Sequence, residues 1–172
     1  MRKVSVGRVL AVVALALLVA GPVFAQGKDI VVAGGWAPTY LFANGSSTFA
    51  PIGVMFDVGV PVAPNVQVVG DFGWNYKDSE HLVTGTGGVR YVVSQGKDKP
   101  APFVEGLAGL GYVNGGPGAG FAFGFGGGVD VPLPNKAIAV RAQVNYFRLQ
   151  ISGVGFNSVR FGIGISTAAG TK

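Results

Sequence analysis

Phe121-Ala-Phe-Gly-Phe-Gly-Gly-Gly-Val-Asp-Val131 decides how this chain folds. Successive side chains on a β-strand point to opposite faces. One face of the segment therefore carries Phe121, Phe123, Phe125, Val129 and Val131, and the other carries Ala122, Gly124, Gly126, Gly128 and Asp130. A strand over a sandwich core also has one apolar face, but its water side is usually built from Lys, Glu or Thr. Here the second face is glycine and ends in a carboxylate. Large and apolar outside, small and polar inside, is the pattern of a barrel that crosses a membrane.

Similar alternation recurs at intervals of roughly 15 residues along the chain. It predicts strands over Asp29–Leu41, Phe49–Val62, Val66–Lys77, His81–Ser94, Phe103–Asn114, Gly120–Pro132, Ala137–Leu149 and Asn157–Thr167. Each meets the roughly 9–11 residues that a tilted membrane strand needs. Turn-forming clusters separate them, among them Asn44-Gly-Ser-Ser47, Ala63-Pro-Asn65, Lys77-Asp-Ser-Glu80, Gly115-Gly-Pro-Gly118 and Ser152-Gly153. The expectation is an all-β, eight-stranded antiparallel up-and-down transmembrane β-barrel. An even strand number places the turns after strands two, four and six on the side of the chain termini, the periplasm. The opposite turns are short, so long binding loops are not expected.

Charge placement sharpens the face assignment. A basic residue on the lipid face costs about 2–4 kcal/mol at the bilayer midplane. The strand charges Asp57, Asp71, Arg90, Glu105, Asp130, Arg141 and Arg160 all fall on the inward parity. An eight-stranded barrel is just wide enough for side chains to fill it. These seven residues are therefore expected to form a lumen charge network, with Arg90–Glu105 and Arg141–Asp130 joining neighbouring strands. The reading taken is a satisfied polar core; the alternative is a charged pore or proton path. Arg148 is the exception in parity and belongs at the outer rim, where its stem can lie along apolar surface. Trp36, Tyr40, Trp74, Tyr76, Tyr112, Phe121 and Tyr146 would form an aromatic girdle at the outer rim, with Tyr91 and Phe103 at the inner one.

The first 25 residues read as a cleavable signal peptide. Arg2, Lys3 and Arg8 precede the uncharged run Val9–Ala20, and Val23-Phe-Ala25 offers small residues for cleavage before Gln26. An uncleaved anchor is the alternative, but the run is shorter than the roughly 20 apolar residues of a spanning helix. Residues 26–172 then form one β-barrel domain. The whole chain has 13 Lys and Arg against 8 Asp and Glu, but three of the basic residues leave with the signal. The remaining charges are scattered singly, so the excess is no nucleic-acid footprint. The chain has no cysteine, and hence no disulfide framework.

Three segments together, Phe103-Val-Glu-Gly-Leu-Ala-Gly-Leu-Gly-Tyr112, Phe121–Val131 and Ala139-Val-Arg-Ala-Gln-Val-Asn-Tyr146, resemble the outer-membrane β-barrel domain family. That family includes the small OmpA-like and OmpX-like barrels, often labelled porin-family proteins. The resemblance covers essentially the whole mature chain, and its motifs are loose. It implies the barrel fold, a Gram-negative type outer membrane, contact with its lipid, and insertion by the barrel-assembly machinery. Many such barrels end on an aromatic residue. Here the strand Val159–Ile165 continues through Ser166–Lys172. Residues 26–172 are not expected to include the peptidoglycan-binding domain of full-length OmpA-like proteins.

Little chemistry is on offer. His81 is the sole histidine, and no serine motif accompanies it. One histidine and no cysteine supply no metal cluster. The glycine runs precede no helix and no Gly-Lys-Ser/Thr, so they are not phosphate loops. No catalytic residue, metal or cofactor is assigned. The expected role is structural or surface-interacting, as a monomer without nucleic-acid partners, with Ala43–Thr48 and Ser152–Phe156 as the surfaces for ligands. The alternative is a narrow pore or carrier for small solutes or hydrophobic ligands, kept open by inward glycines that would leave lumen volume unfilled.

Overall fold

The computed structural model describes residues 29–43, 45–93, 98–114, 118–134, 137–151 and 153–169. The expected signal segment and its cleavage site lie outside the described residues. Ten strands follow one another: β1 Ile30–Trp36, β2 Thr39–Ala43, β3 Ser46–Ala50, β4 Ile52–Ala63, β5 Val66–Lys77, β6 Glu80–Val92, β7 Ala101–Asn114, β8 Gly118–Pro132, β9 Ile138–Ile151 and β10 Val154–Ala169. They make eight staves, because β1 and β2 are halves of one stave and β3 and β4 are halves of the next. β10 pairs antiparallel with both β1 and β2, while β4 pairs with β1 and β3 with β2. The β1–β10 pairing closes the ring.

Proline explains the two extra strands. It has no N–H to give to a ladder, and Pro38 and Pro51 interrupt adjacent staves side by side. The carbonyls at these breaks find donors elsewhere. The Phe161 N–H donates to Pro38 O at 3.0 Å, the Trp36 indole Nε1 to Pro51 O at 2.9 Å, and Asn75 Nδ2 reaches Ala37 O at 2.6 Å. Backbone polarity is thereby satisfied inside the wall, as a barrel in lipid requires.

The stagger of the ring follows from the register. From Gly35 the pairing runs through Met55, Gly73, Thr84 and Gly111 to Gly120 on β8. Round the other way it runs through Gly164 and Arg141 to Asp130, ten residues further along the same strand. A stagger of this size on eight staves tilts the strands by about 40°. One hairpin shows how tight the turns are: Asp78 and Ser79 have φ of 47° and 71°. Left-handed conformation at both central residues is the two-residue type I′ turn, whose twist suits a hairpin.

The barrel is inverted relative to a water-soluble one. Phe125 is 66% exposed, Val104 61% and Ile165 59%, whereas Asp57, Arg90 and Arg141 are each 1% exposed. Large apolar side chains cover the outside of every stave, from Trp36 and Phe56 round to Phe161.

The inward glycines do not leave the lumen empty. A Cβ on Gly111 would collide with Leu149, on Gly124 with Phe147, on Gly128 with Phe103, and on Gly162 with Met55. Each missing side chain makes room for a large one, from the adjacent stave at Gly124 and Gly128 and from the next but one at Gly111 and Gly162. The expectation of unfilled volume beside these residues is therefore corrected.

Candidate functional site

The lumen has two levels. Call the end holding Ile30 and Ala169 the terminal end and the opposite one the distal end. In the terminal half, the register sets Arg90 opposite Glu105 on β6 and β7, and Asp130 opposite Arg141 on β8 and β9. Arg90 Nη2 lies 2.7 Å from Glu105 Oε2, and Arg141 grips Asp130 through Nε and Nη2 at 2.8 and 2.7 Å. A planar guanidinium matched to both carboxylate oxygens is the strongest form of such a pair.

Asp57 links the two pairs from the far side of the barrel. It accepts from Arg90 Nη1 at 2.9 Å and from Arg141 Nη1 at 2.7 Å. Asn145 Nδ2 donates to Glu105 Oε1 at 2.6 Å, and Ser166 Oγ to Asp130 at 2.8 Å. The Phe103 ring packs against both guanidiniums, 4.4 Å from Arg90 Cζ and 4.9 Å from Arg141 Cζ. Phe103 thus belongs to the lumen, 3% exposed, and not to an inner girdle on the lipid face. Its place follows from parity, because Phe103, Glu105 and Leu107 share the inward side of β7.

The remaining charged pair stands apart. Arg160 Nη2 donates to Asp71 Oδ2 at 2.6 Å, and the Arg160 guanidinium lies 5.0 Å from the Phe147 ring. Its Nε and Nη1 are buried without a hydrogen-bond partner among the described residues. All seven charged residues expected to face inward do so; six are 6% exposed or less, and the Asp130 side chain, nearest the terminal end, is 18% exposed. With Asp57, Arg90, Arg141 and Asn145 packed this tightly, the terminal half is plugged by side chains.

The distal half holds an apolar cluster beside the buried polar side chains of Thr39, Asn75 and Ser158. Leu82, Leu107, Ala122, Phe147, Leu149 and Ile151 form one buried cluster, with Leu41, Val113 and Phe156 packed against it. Above it lies a cavity of about 170 Å³, lined by Leu41, Ala43, Ala50, Leu82, Val113 and Phe156 and equally by the polar Ser46, Thr48, Asn75, Lys77, Glu80 and His81. Phe156 accordingly serves the lumen and is no part of a surface loop. This level was missed in the sequence, although β9 carries the signal. Its inward positions read Arg141, Gln143, Asn145 and then Phe147, Leu149, Ile151, while its outward ones turn polar at Arg148 and Gln150.

The outward aromatics are unevenly spread. Tyr40, Tyr76, Tyr112 and Phe121 lie near the distal ends of their staves, with Trp74 one outward position below Tyr76. Tyr91 lies at the terminal end of β6. Trp36 and Tyr146 lie closer to mid-barrel, where the Trp36 indole is used at the Pro51 break and the Tyr146 hydroxyl donates to Asn157 at 2.8 Å. The His81 ring is 5.7 Å from Trp74 and 5.0 Å from Tyr76. Among the described residues no three His, Cys, Asp or Glu side chains gather as a metal-binding group.

No family model matches the chain, and no curated protein matches it in sequence. Solved structures do match in shape. Neisserial surface protein A is 12% identical, with a TM-score of 0.68, covering 80% of this chain and 96% of that one. The outer membrane protein OprG from Pseudomonas aeruginosa is 10% identical at a TM-score of 0.56, covering 84% and 97%. Ail, the attachment invasion locus protein of Yersinia pestis, is 12% identical at 0.53, covering 82% and 99%. At such identities the likeness is one of fold, and the fold of this chain is that of the small outer-membrane β-barrels.

Proposed function

We propose that the protein is an integral barrel of the outer membrane, inserted with its terminal end toward the periplasm, and that its role is structural or surface-interacting rather than catalytic. The observation that carries this reading is the inversion of the wall, with apolar side chains exposed around the whole ring and the charges buried within. The plugged terminal half argues against free passage of solutes. The distal rim, with the β2–β3 hairpin exposed over Ser46–Phe49, is the surface available to partners. Among the similar folds, Ail has been crystallised with the heparin analogue sucrose octasulfate, so a surface contact with polyanionic glycans is one form that such a role can take.

The distal cavity, with its apolar floor and polar rim, supports a second reading, a binding place for a small amphipathic or hydrophobic ligand that enters from the distal side. Planar-bilayer recordings separate these from a pore. A silent bilayer is the outcome that supports a plugged lumen. Steady unitary currents from the purified wild type would overturn it. Cell fractionation with heat-dependent gel mobility tests the membrane assignment itself, and recovery of the folded protein in buffer without detergent would refute it.

A further inference from the structure

One basic side chain breaks the rule of the wall. Arg148 is the sole Lys or Arg on an outward-facing strand position among the described residues, and it makes no salt bridge there. The pairing places Phe123, Arg148, Asn157 and Phe42 side by side across four staves on the outer face. Phe123 is 48% exposed and Phe42 40%, so the guanidinium is flanked by membrane-facing rings at the level of the distal aromatics.

The guanidinium is also held in place. Its Nη1 donates to Asn157 Oδ1 at 2.8 Å, and Tyr146 Oη donates to the same oxygen at 2.8 Å. Gly155 lies beneath it, and a Cβ there would collide with Arg148 Nη2 and close on the Gln150 side chain. A rigid cation with a fork of donors, in a mostly apolar surface and without a carboxylate to neutralise it, calls for an anion. At the height of an aromatic belt, that anion is a lipid phosphate.

We propose that Arg148, with Asn157 and Gln150 beside it over the Gly155 hollow, binds the phosphate group of a lipid in the leaflet at the distal end. The proposal rests on the membrane reading above. It gives the barrel a lipid-specific anchor on one side of its wall.

Native mass spectrometry of the folded protein released from micelles tests this. The probes are a phosphatidic acid, a diacylglycerol with the same chains, and inorganic phosphate. The phosphatidic acid adduct is expected to be retained at least tenfold more than the diacylglycerol adduct, without displacement by inorganic phosphate. Arg148→Gln should lower that retention about fivefold or more. Lys99→Gln, at the opposite end, should leave it unchanged. Equal retention of the two lipids by the wild type overturns the proposal whether or not the variant folds. So does displacement by inorganic phosphate, or retention by Arg148→Gln that matches the wild type. A protein that stays folded in buffer without detergent would instead bring down the membrane reading.

Discussion

Asp57 is the side chain that joins the two lumen ion pairs into one network. It is 1% exposed and accepts from two guanidiniums that otherwise belong to separate pairs. Taking it away leaves each guanidinium one carboxylate, Glu105 for Arg90 and Asp130 for Arg141, but strips the buried Arg90 Nη1 and Arg141 Nη1 of their acceptor. Leaving a buried donor unsatisfied costs about 1–3 kcal/mol, so Asp57→Ala, which strands two, should lower stability in urea by about 2–6 kcal/mol, read as the change in heat-dependent gel mobility. Asp130→Ala should lose less, because its carboxylate lies at the terminal mouth, 18% exposed, where water can replace it. A smaller loss for Asp57→Ala than for Asp130→Ala would contradict this ordering. Phe103 acts at the same place, as an aromatic ring packed against both cations.

Between strands, closeness is set by glycine. β6 and β7 meet at Gly88 and Gly106, yet the two positions differ. A Cβ on Gly88 would strike the Gly106 carbonyl oxygen, while one on Gly106 meets nothing within 4 Å. Gly88→Ala must push the staves apart, at the roughly 1–3 kcal/mol typical of overpacking. Gly106→Ala should refold in detergent with wild-type yield. Equal yields for the two variants would show that β6 and β7 tolerate a wider spacing than the register implies. The proline breaks are the other device at this level. Pro38 and Pro51 divide two staves, and the freed carbonyls are recaptured by Trp36, Asn75 and Phe161. A Trp36→Phe variant keeps the ring but removes the donor to Pro51 O, and should lower stability by about 1 kcal/mol in the same urea assay.

For the barrel as a body, the apolar exterior is a liability in water and a requirement in lipid. Phe125→Arg places a guanidinium on the exposed wall, at a cost of about 2–4 kcal/mol near the bilayer midplane. Assembly into lipid vesicles should fall accordingly, whereas Phe125→Leu should assemble as the wild type does. Equal assembly of both would mean that Phe125 does not face lipid. The stagger of ten residues then decides which inward side chains meet across the lumen. It brings Asp57 on β4 level with Arg90 on β6 and Arg141 on β9, and it leaves the distal half to Phe147, Leu149 and Ile151.

Period-two alternation along the chain was enough for the barrel class, the eight staves and the side on which each charge lies. Those properties are local, since each depends on one strand's own residues and on the cost of exposing a charge to lipid. The pairs Arg90–Glu105 and Arg141–Asp130 were legible for the same reason, each joining strands next to one another in sequence. The bridge through Asp57 was not, because it spans 33 and 84 residues of chain and depends on the stagger of the closed ring. The glycines misled for a related reason. Along a strand each looks like missing volume, and only the packed lumen shows Leu149, Phe147, Phe103 and Met55 filling the space. Closure sets which residues face each other across the lumen, and no single strand contains that information.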